Sequence, residues 1–228
     1  MENHENNCTG LATLCQVHNL VEHYDGTQWS VVPTPTLKKG ALSAIGGLSG
    51  TDFWIAGATV SNVRLVGDPI VMHFDGEEFK RVAFPGTGLV LSGIVEIAAN
   101  DAWIVGNNGS TMTAHWDGKV WTVVPSPGAG SFSELSAVSA ISSTDVWAAG
   151  HIEADKDGVE SLLYLIEHWD GKNWTISPIS PTPHGFDRLF GVQAFPSGSV
   201  FVAGIALDCS GNNCIGFEPA VFHTTQGK

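Results

Sequence analysis

Hydrophobic and polar positions alternate along this chain in short runs broken by glycine, proline, asparagine and aspartate, a period of two rather than the 3.6 of a helix. In one stretch residues 135–141 alternate, residues 146–150 form a buried-type apolar run, residues 162–168 lead into an Asp-Gly pair and residues 174–176 leave it. Four short strands follow from that pattern. The Asp-Gly pair predicts a tight hairpin link, because both residues tolerate the positive φ of a sharp turn.

The pattern recurs along the chain. One signature, His-aromatic-Asp-Gly with a second aromatic six residues after the His, stands at His23-Tyr24-Asp25-Gly26 with Trp29, His73-Phe74-Asp75-Gly76 with Phe79, His115-Trp116-Asp117-Gly118 with Trp121, and His168-Trp169-Asp170-Gly171 with Trp174. A second starts at Leu42, Leu91, Leu135 and Leu189. Ten residues on it reaches Asp52-Phe53-Trp54, Asp101-Ala102-Trp103, Asp145-Val146-Trp147 and Ser199-Val200-Phe201, and it closes on Gly57, Gly106, Gly150 and Gly204. A unit of 42 to 53 residues, read from His73 to His115 and from His115 to His168, has the length of a four-stranded propeller blade. The fold expected is therefore all-β: a small β-propeller of four blades, each of four antiparallel strands a to d from the channel outward, with the aromatics as wedges between blades. The chain opens on strands c and d of one blade and reaches strands a and b of the last copy near its end. Residues 16–33 are thus expected to pair with residues 189–205 and close the ring, removing two sheet edges. Residues 1–228 read as one propeller domain, with an N-terminal extension over residues 1–15 and an extra C-terminal strand segment over residues 205–228. Because residues 221–223 look like a fifth c strand, five blades or strand exchange in an oligomer is the alternative.

The run His-Trp-Asp-Gly-x-x-Trp, then Val-Pro-Ser-Pro, then Asp-Val-Trp-Ala-x-Gly, resembles the repeats of bacterial β-propeller proteins, related in style to Kelch and Asp-box blades. The resemblance covers about residues 20–225. It implies the architecture and no particular activity, since such blades serve binding proteins, glycosidases, lyases and scaffolds alike. The last copy departs from the pattern in Ser199-Val200-Phe201 and in His223, which is followed by Thr224-Thr225; both features mark a terminal blade.

Composition narrows the partners. Ten Lys and Arg stand against 23 Asp and Glu, a formal net charge of −13, which argues against a grip on nucleic acid or anionic lipid. No apolar run reaches the length of a membrane span, and the start, MENHENNCTG, lacks the basic and apolar regions of a secretory signal, so no membrane insertion and no leader within this chain are expected. The four cysteines fall in two local pairs, Cys8 with Cys15 and Cys209 with Cys214, compatible with two disulfides and an extracellular or cell-surface setting; four reduced thiols in a cytosolic protein is the other reading.

Loop lengths point to a working face. The a–b and c–d links are tight in every copy, whereas the separation from closing glycine to next motif His runs 16, 9, 18 and 19 residues. Variable links on a rigid scaffold are where binding and catalysis usually reside. The recurring histidines and aspartates read as structural, the histidines as turn caps and the aspartates as acceptors in their own turns. Residues that break the repeat are the better candidates. Glu96 stands where the other a strands carry Gly47, Ala140 and Ala194. His151, Glu153, Asp155, Asp157 and Glu160 are expected in the third b–c loop, where Asp155-Lys156-Asp157-Gly158 distantly resembles the start of a calcium loop without its later ligands. His184, Asp187 and Arg188 are expected in the last d–a loop, and Lys38, Lys39 and Arg64 in variable links of the first blade, where they offer charge to an anionic group. No nucleophile elbow, zincin helix, phosphate loop or dinucleotide fingerprint occurs.

The reading is a recognition module that uses the variable-loop face to bind a glycan or a protein surface, with Lys38, Arg64, His151, His184, Asp187 and Arg188 as ligand contacts. No cofactor or metal is expected, Ca²⁺ at Asp155 and Asp157 being the sole exception. A monomer or a strand-exchanged oligomer fits equally. The alternative is a polysaccharide-active enzyme, a glycosidase or lyase, whose Glu96, His151, His184, Asp187 and Arg188 converge at the channel mouth.

Overall fold

The computed structural model describes residues 19–37, 40–59, 67–156, 159–178, 186–210 and 213–225, with only the backbone at 155, 156, 159, 160, 186, 187, 207–210, 213–220 and 222–225. Among the described residues every regular element is a strand. They run β1 Glu22–Tyr24, β2 Trp29–Val31, β3 Gly40–Ser49, β4 Asp52–Thr59, β5 Pro69–Phe74, β6 Phe79–Arg81, β7 Val90–Ala98, β8 Asp101–Asn107, β9 Thr111–Trp116 and β10 Trp121–Val124. They continue as β11 Phe132–Ser142, β12 Asp145–Lys156, β13 Val159–Trp169, β14 Trp174–Ile176, β15 Phe186–Ala194, β16 Ser199–Ser210 and β17 Asn213–Thr225.

Antiparallel meanders of the expected four-strand kind are present. The first is the sheet β3-β4-β5-β6 and the second β7-β8-β9-β10. The third, β11 to β14, is joined to the strands of the last copy through one parallel bridge, Leu162 to Phe186, in a seven-stranded sheet. Blades are held face to face by apolar clusters that straddle each boundary. Trp54, Ala56 and Val71 of the first blade pack with Leu91, Ile104, Trp116 and Trp121 of the second. Trp103 and Val105 of the second meet Leu135, Leu165 and Trp174 of the third, and Trp147 of the third meets Leu189, Val200 and Val202 beyond it.

Two devices explain why the repeat residues recur. In each a strand the register shifts just after the repeat leucine, at Leu42/Ala44, Leu91/Gly93, Leu135/Ala137 and Leu189/Gly191, so one residue bulges. The leucine's partner across the ladder is the closing glycine, and a Cβ built on Gly57, Gly106, Gly150 or Gly204 would strike the carbonyl oxygen of residue 41, 90, 134 or 188. In each c–d link the glycine adopts positive φ, between 90° and 98° at Gly26, Gly76, Gly118 and Gly171. The aspartate before it accepts the amides two and three residues on, as Asp117 does from Lys119 at 2.8 Å and Val120 at 2.9 Å. These bonds hold Asp25 down to about pKa 2, through Thr27 and Gln28, and lower Asp117 and Asp170 likewise.

Three expectations are corrected. First, residues 16–33 do not pair with residues 189–205 among the described residues: β1 pairs β2, and the outer edge of β16 is taken by β17. The cause is register, since His223 lies opposite Phe201 as His73, His115 and His168 lie opposite Trp54, Trp103 and Trp147. The C-terminal segment thus competes for the c position. Second, the third b–c connection is no loop. β12 and β13 remain laddered from Val146 with Trp169 to Lys156 with Val159, which puts His151, Glu153 and the backbone of Asp155 in strand. Asp187 and Arg188 likewise belong to β15 rather than to the d–a loop. Third, the motif histidines do not cap the turns: His73, His115 and His168 bond through Nε2 to Asp52, Asp101 and Asp145 at 2.7, 2.9 and 2.9 Å.

Candidate functional site

The sequence candidates separate into two groups at opposite ends of the sheets. Toward the variable links, Glu134 on β11 lies opposite His151 on β12, and Arg188 on β15 approaches both. Glu134 and Arg188 occupy the same repeat position, the one before the leucine, in successive a strands. His151 is 4% exposed. Burial, reinforced by the Arg188 charge, pulls its imidazole down to about pKa 4, so the ring is neutral at pH 7. Burial pushes the Glu134 carboxyl up, partly offset by Arg188. The Arg188 Nε is buried without a hydrogen-bond partner. A neutral imidazole, a carboxyl and an incompletely satisfied guanidinium therefore converge here.

Glu96 belongs elsewhere. It sits in β7 opposite Ala102, close to the a–b hairpin, and its repeat equivalent on β11 is Ala140. Glu134 precedes Ala140 by six residues, roughly 20 Å of strand. Glu96 therefore does not join His151 and Arg188 around one cavity. Lys38, Lys39, Arg64, Asp157, His184, Cys8 and Cys15 lie outside the described residues, and the side chains of Asp155, Asp187, Cys209 and Cys214 do too.

Near the a–b and c–d links, between the second and third blades, a cavity of about 740 Å³ opens. Its lining includes Asn100, Asp101, Trp103, His115, Asp117 and Trp169. The Asp101–His115 pair forms one polar wall, and the Trp169 indole, packed on the buried Trp103 with ring centroids 4.9 Å apart, forms an apolar one. Aromatic faces beside fixed acceptors suit a ligand with both apolar and hydroxyl-bearing surface.

Glu134 was not singled out from sequence, and two further polar groupings were not evident there either. Glu167 on β13 is fully buried and accepts from Ser126 Oγ at 2.5 Å and from the Gly128 amide at 3.4 Å. Burial pushes its carboxyl up against those bonds. Its equivalents in the earlier copies are Glu22, Met72 and Ala114, so the position is mixed along the repeat and offered no clean signal. Glu96 meets Asp52 and His73 across the boundary of the first two blades, their ligand atoms all within 4.8 Å of one another. That grouping needs the blade packing and is invisible in sequence.

No family profile and no curated protein matches the chain. Among solved structures, it is similar to YCF48 bound to D1 peptide, with TM-score 0.51 and 16% identity over 86% of this chain and 59% of that one. It is also similar to the six-bladed β-propeller lectin of Aleuria aurantia, described with a fucose recognition mode, with TM-score 0.50 and 14% identity over 86% of this chain and 67% of that one. The chain thus spans about three-fifths of the length of the first. The sheets, the wedge packing between them and these two likenesses establish an all-β propeller fold.

Proposed function

We propose that this protein is a recognition module of four blades, the fourth built from β15, β16 and β17, that binds a short glycan in the cleft between its second and third blades. The observation that carries the reading is the lining of that cleft, where the half-buried Trp169 indole, backed by the buried Trp103, stands beside Asp101, His115 and Asp117. A pyranose stacks its C–H face on indole and directs hydroxyls to carboxylate and imidazole acceptors. The similar structures include a lectin and a peptide-bound propeller, which supports binding over catalysis. The split of Glu96 from His151 and Arg188 counts against the five-residue enzyme set. A second face is favoured by one observation, the buried and unpartnered Arg188 Nε beside Glu134 and His151, which fits an anionic group on a protein or acidic sugar.

An extracellular setting belongs to the same reading. Cys209 and Cys214 are register partners across the β16–β17 ladder, a separation a disulfide spans. Intact mass with and without reductant checks it, the expected result being a gain of two hydrogen atoms, about 2 Da, per bridge as the reductant supplies two electrons and two protons.

The functional test is a glycan array followed by titration of the strongest hit against wild-type protein and Ala98→Phe, which fills the cleft from its wall. Binding lost in the variant, with thermal unfolding unchanged, supports the cleft. Binding retained there but lost in Arg188→Ala moves the ligand to the other face. A silent array with turnover of a polysaccharide favours the enzyme.

A further inference from the structure

At the boundary of the first and second blades one side chain breaks the repeat and lands on a His–Asp pair that recurs in the next two blades. His73 Nε2 bonds Asp52 Oδ1 at 2.7 Å, as His115 bonds Asp101 and His168 bonds Asp145 at 2.9 Å. Among the described residues, only the first of these pairs is met by a third ligand-type group. The a strand of the following blade carries Glu96 there, where the next two boundaries have Ala140 and Ala194. The Glu96 side chain is 7% exposed, and neither of its oxygens meets a donor at hydrogen-bond geometry. The Trp54 indole N–H and the Leu48 amide approach without satisfying it, and the Trp54 Nε1 is itself unpartnered. A buried carboxyl with both oxygens unsatisfied, beside a second carboxylate, is costly unless something positive or donating stands between them.

We infer that Asp52, His73 and Glu96 form a binding site for one divalent transition-metal ion, which ties the first blade to the second. One imidazole nitrogen and two carboxylate oxygens suit Zn²⁺ or a similar borderline ion, whereas Ca²⁺ and Mg²⁺ prefer oxygen alone. The charges balance, two carboxylates against a dication. Ligand atoms about 2.0 to 2.2 Å from an ion at a tetrahedral site stand about 3.3 to 3.6 Å apart, and all three now fall within 4.8 Å of one another. Side-chain rotation alone closes the difference, with the Asp52–His73 bond opening to about 3.3 Å, the edge of a tetrahedral site. Trp54, whose ring centroid is 4.5 Å from that of His73, fixes the imidazole plane. Three protein ligands leave a position for water. The site is independent of the glycan cleft, which lies one boundary further on.

The test is isothermal titration of metal-free protein with Zn²⁺ at pH 7, alongside thermal unfolding with and without the ion. The variants are Glu96→Ala, which installs the residue of the next blades, Glu96→Gln, and His115→Ala as a control at the boundary that lacks the third group. Wild type and His115→Ala are expected to take one ion tightly and to gain melting temperature. Glu96→Ala and Glu96→Gln are expected to bind at least tenfold more weakly, with no metal-dependent gain. The inference is overturned by wild type that takes no ion, by a Glu96→Ala protein that binds as wild type does, or by equal weakening in His115→Ala.

Discussion

His151 and Glu167 are both buried titratable groups, and their ionisation acts on stability with opposite signs. Burial lowers the folded pKa of His151 from its usual 6.5 to about 4, with Arg188 adding to the effect. Below pH 6.5 the unfolded chain takes up a proton that the folded one refuses. This contribution is therefore whole above about pH 6.5 and lost as pH falls toward 4, at most about 3 kcal/mol. Replacing His151 by Gln is expected to remove that acid limb in urea unfolding measured from pH 7 to 4. Glu167 has a raised folded pKa, so its contribution is present in acid and lost as pH rises through that value. Glu167→Gln keeps an acceptor for Ser126 and Gly128 without the charge, and is expected to gain about 1 kcal/mol at pH 8 and little at pH 4. Glu167→Ala leaves those donors unpaired and is expected to lose about 2 to 3 kcal/mol at both. At this scale the sequence was legible where a residue acts locally. Asp25, Asp117 and Asp170 accept from amides two and three residues away, as their position before glycine implies. The histidines find partners 14 to 23 residues back, on a strand whose alignment depends on the ladder, and local reading misplaced them.

Within a blade the repeat glycine and the wedge tryptophan carry the architecture. Gly106 lies opposite the bulge of β7, and Gly106→Ala drives a methyl into the Val90 carbonyl. That substitution is expected to cost more than about 3 kcal/mol, in the range of strained or overpacked sites. Trp103 is 1% exposed and sits edge-on to Trp174, centroids 5.2 Å apart. Trp103→Ala is expected to cost about 3 to 5 kcal/mol, and Trp103→Phe clearly less, in equilibrium unfolding followed by circular dichroism. The four-strand unit and its hairpins were readable because period and turn residues agree. The length of β12 and β13 was not, since a ladder prolonged past the closing glycine looks in sequence like a polar loop containing His151 and Glu153.

Among the described residues the inner strands β3, β7, β11 and β15 pack in succession, and the strands beside the first and last blades, with β15 itself, expose large apolar groups. Trp29 on β2 is 67% exposed, Phe190 on β15 is 56% and Val221 on β17 is 67%. The repeat forecast the four-stranded meanders β3 to β6 and β7 to β10. It did not forecast that β17 would take the edge assigned to β1, because both segments carry a c-strand pattern and only pairing decides between them. The same blade packing makes the cleft by setting Asn100, Asp101 and Asp117 of one blade against Ser143, Trp169 and Gly171 of the next. Amide hydrogen exchange with the strongest glycan hit bound tests the recognition claim most directly. Slower exchange confined to residues 99–101, 117–120, 143–145 and 170–173 is the expected result. Protection centred instead on residues 134, 151 and 188, or none anywhere, contradicts it.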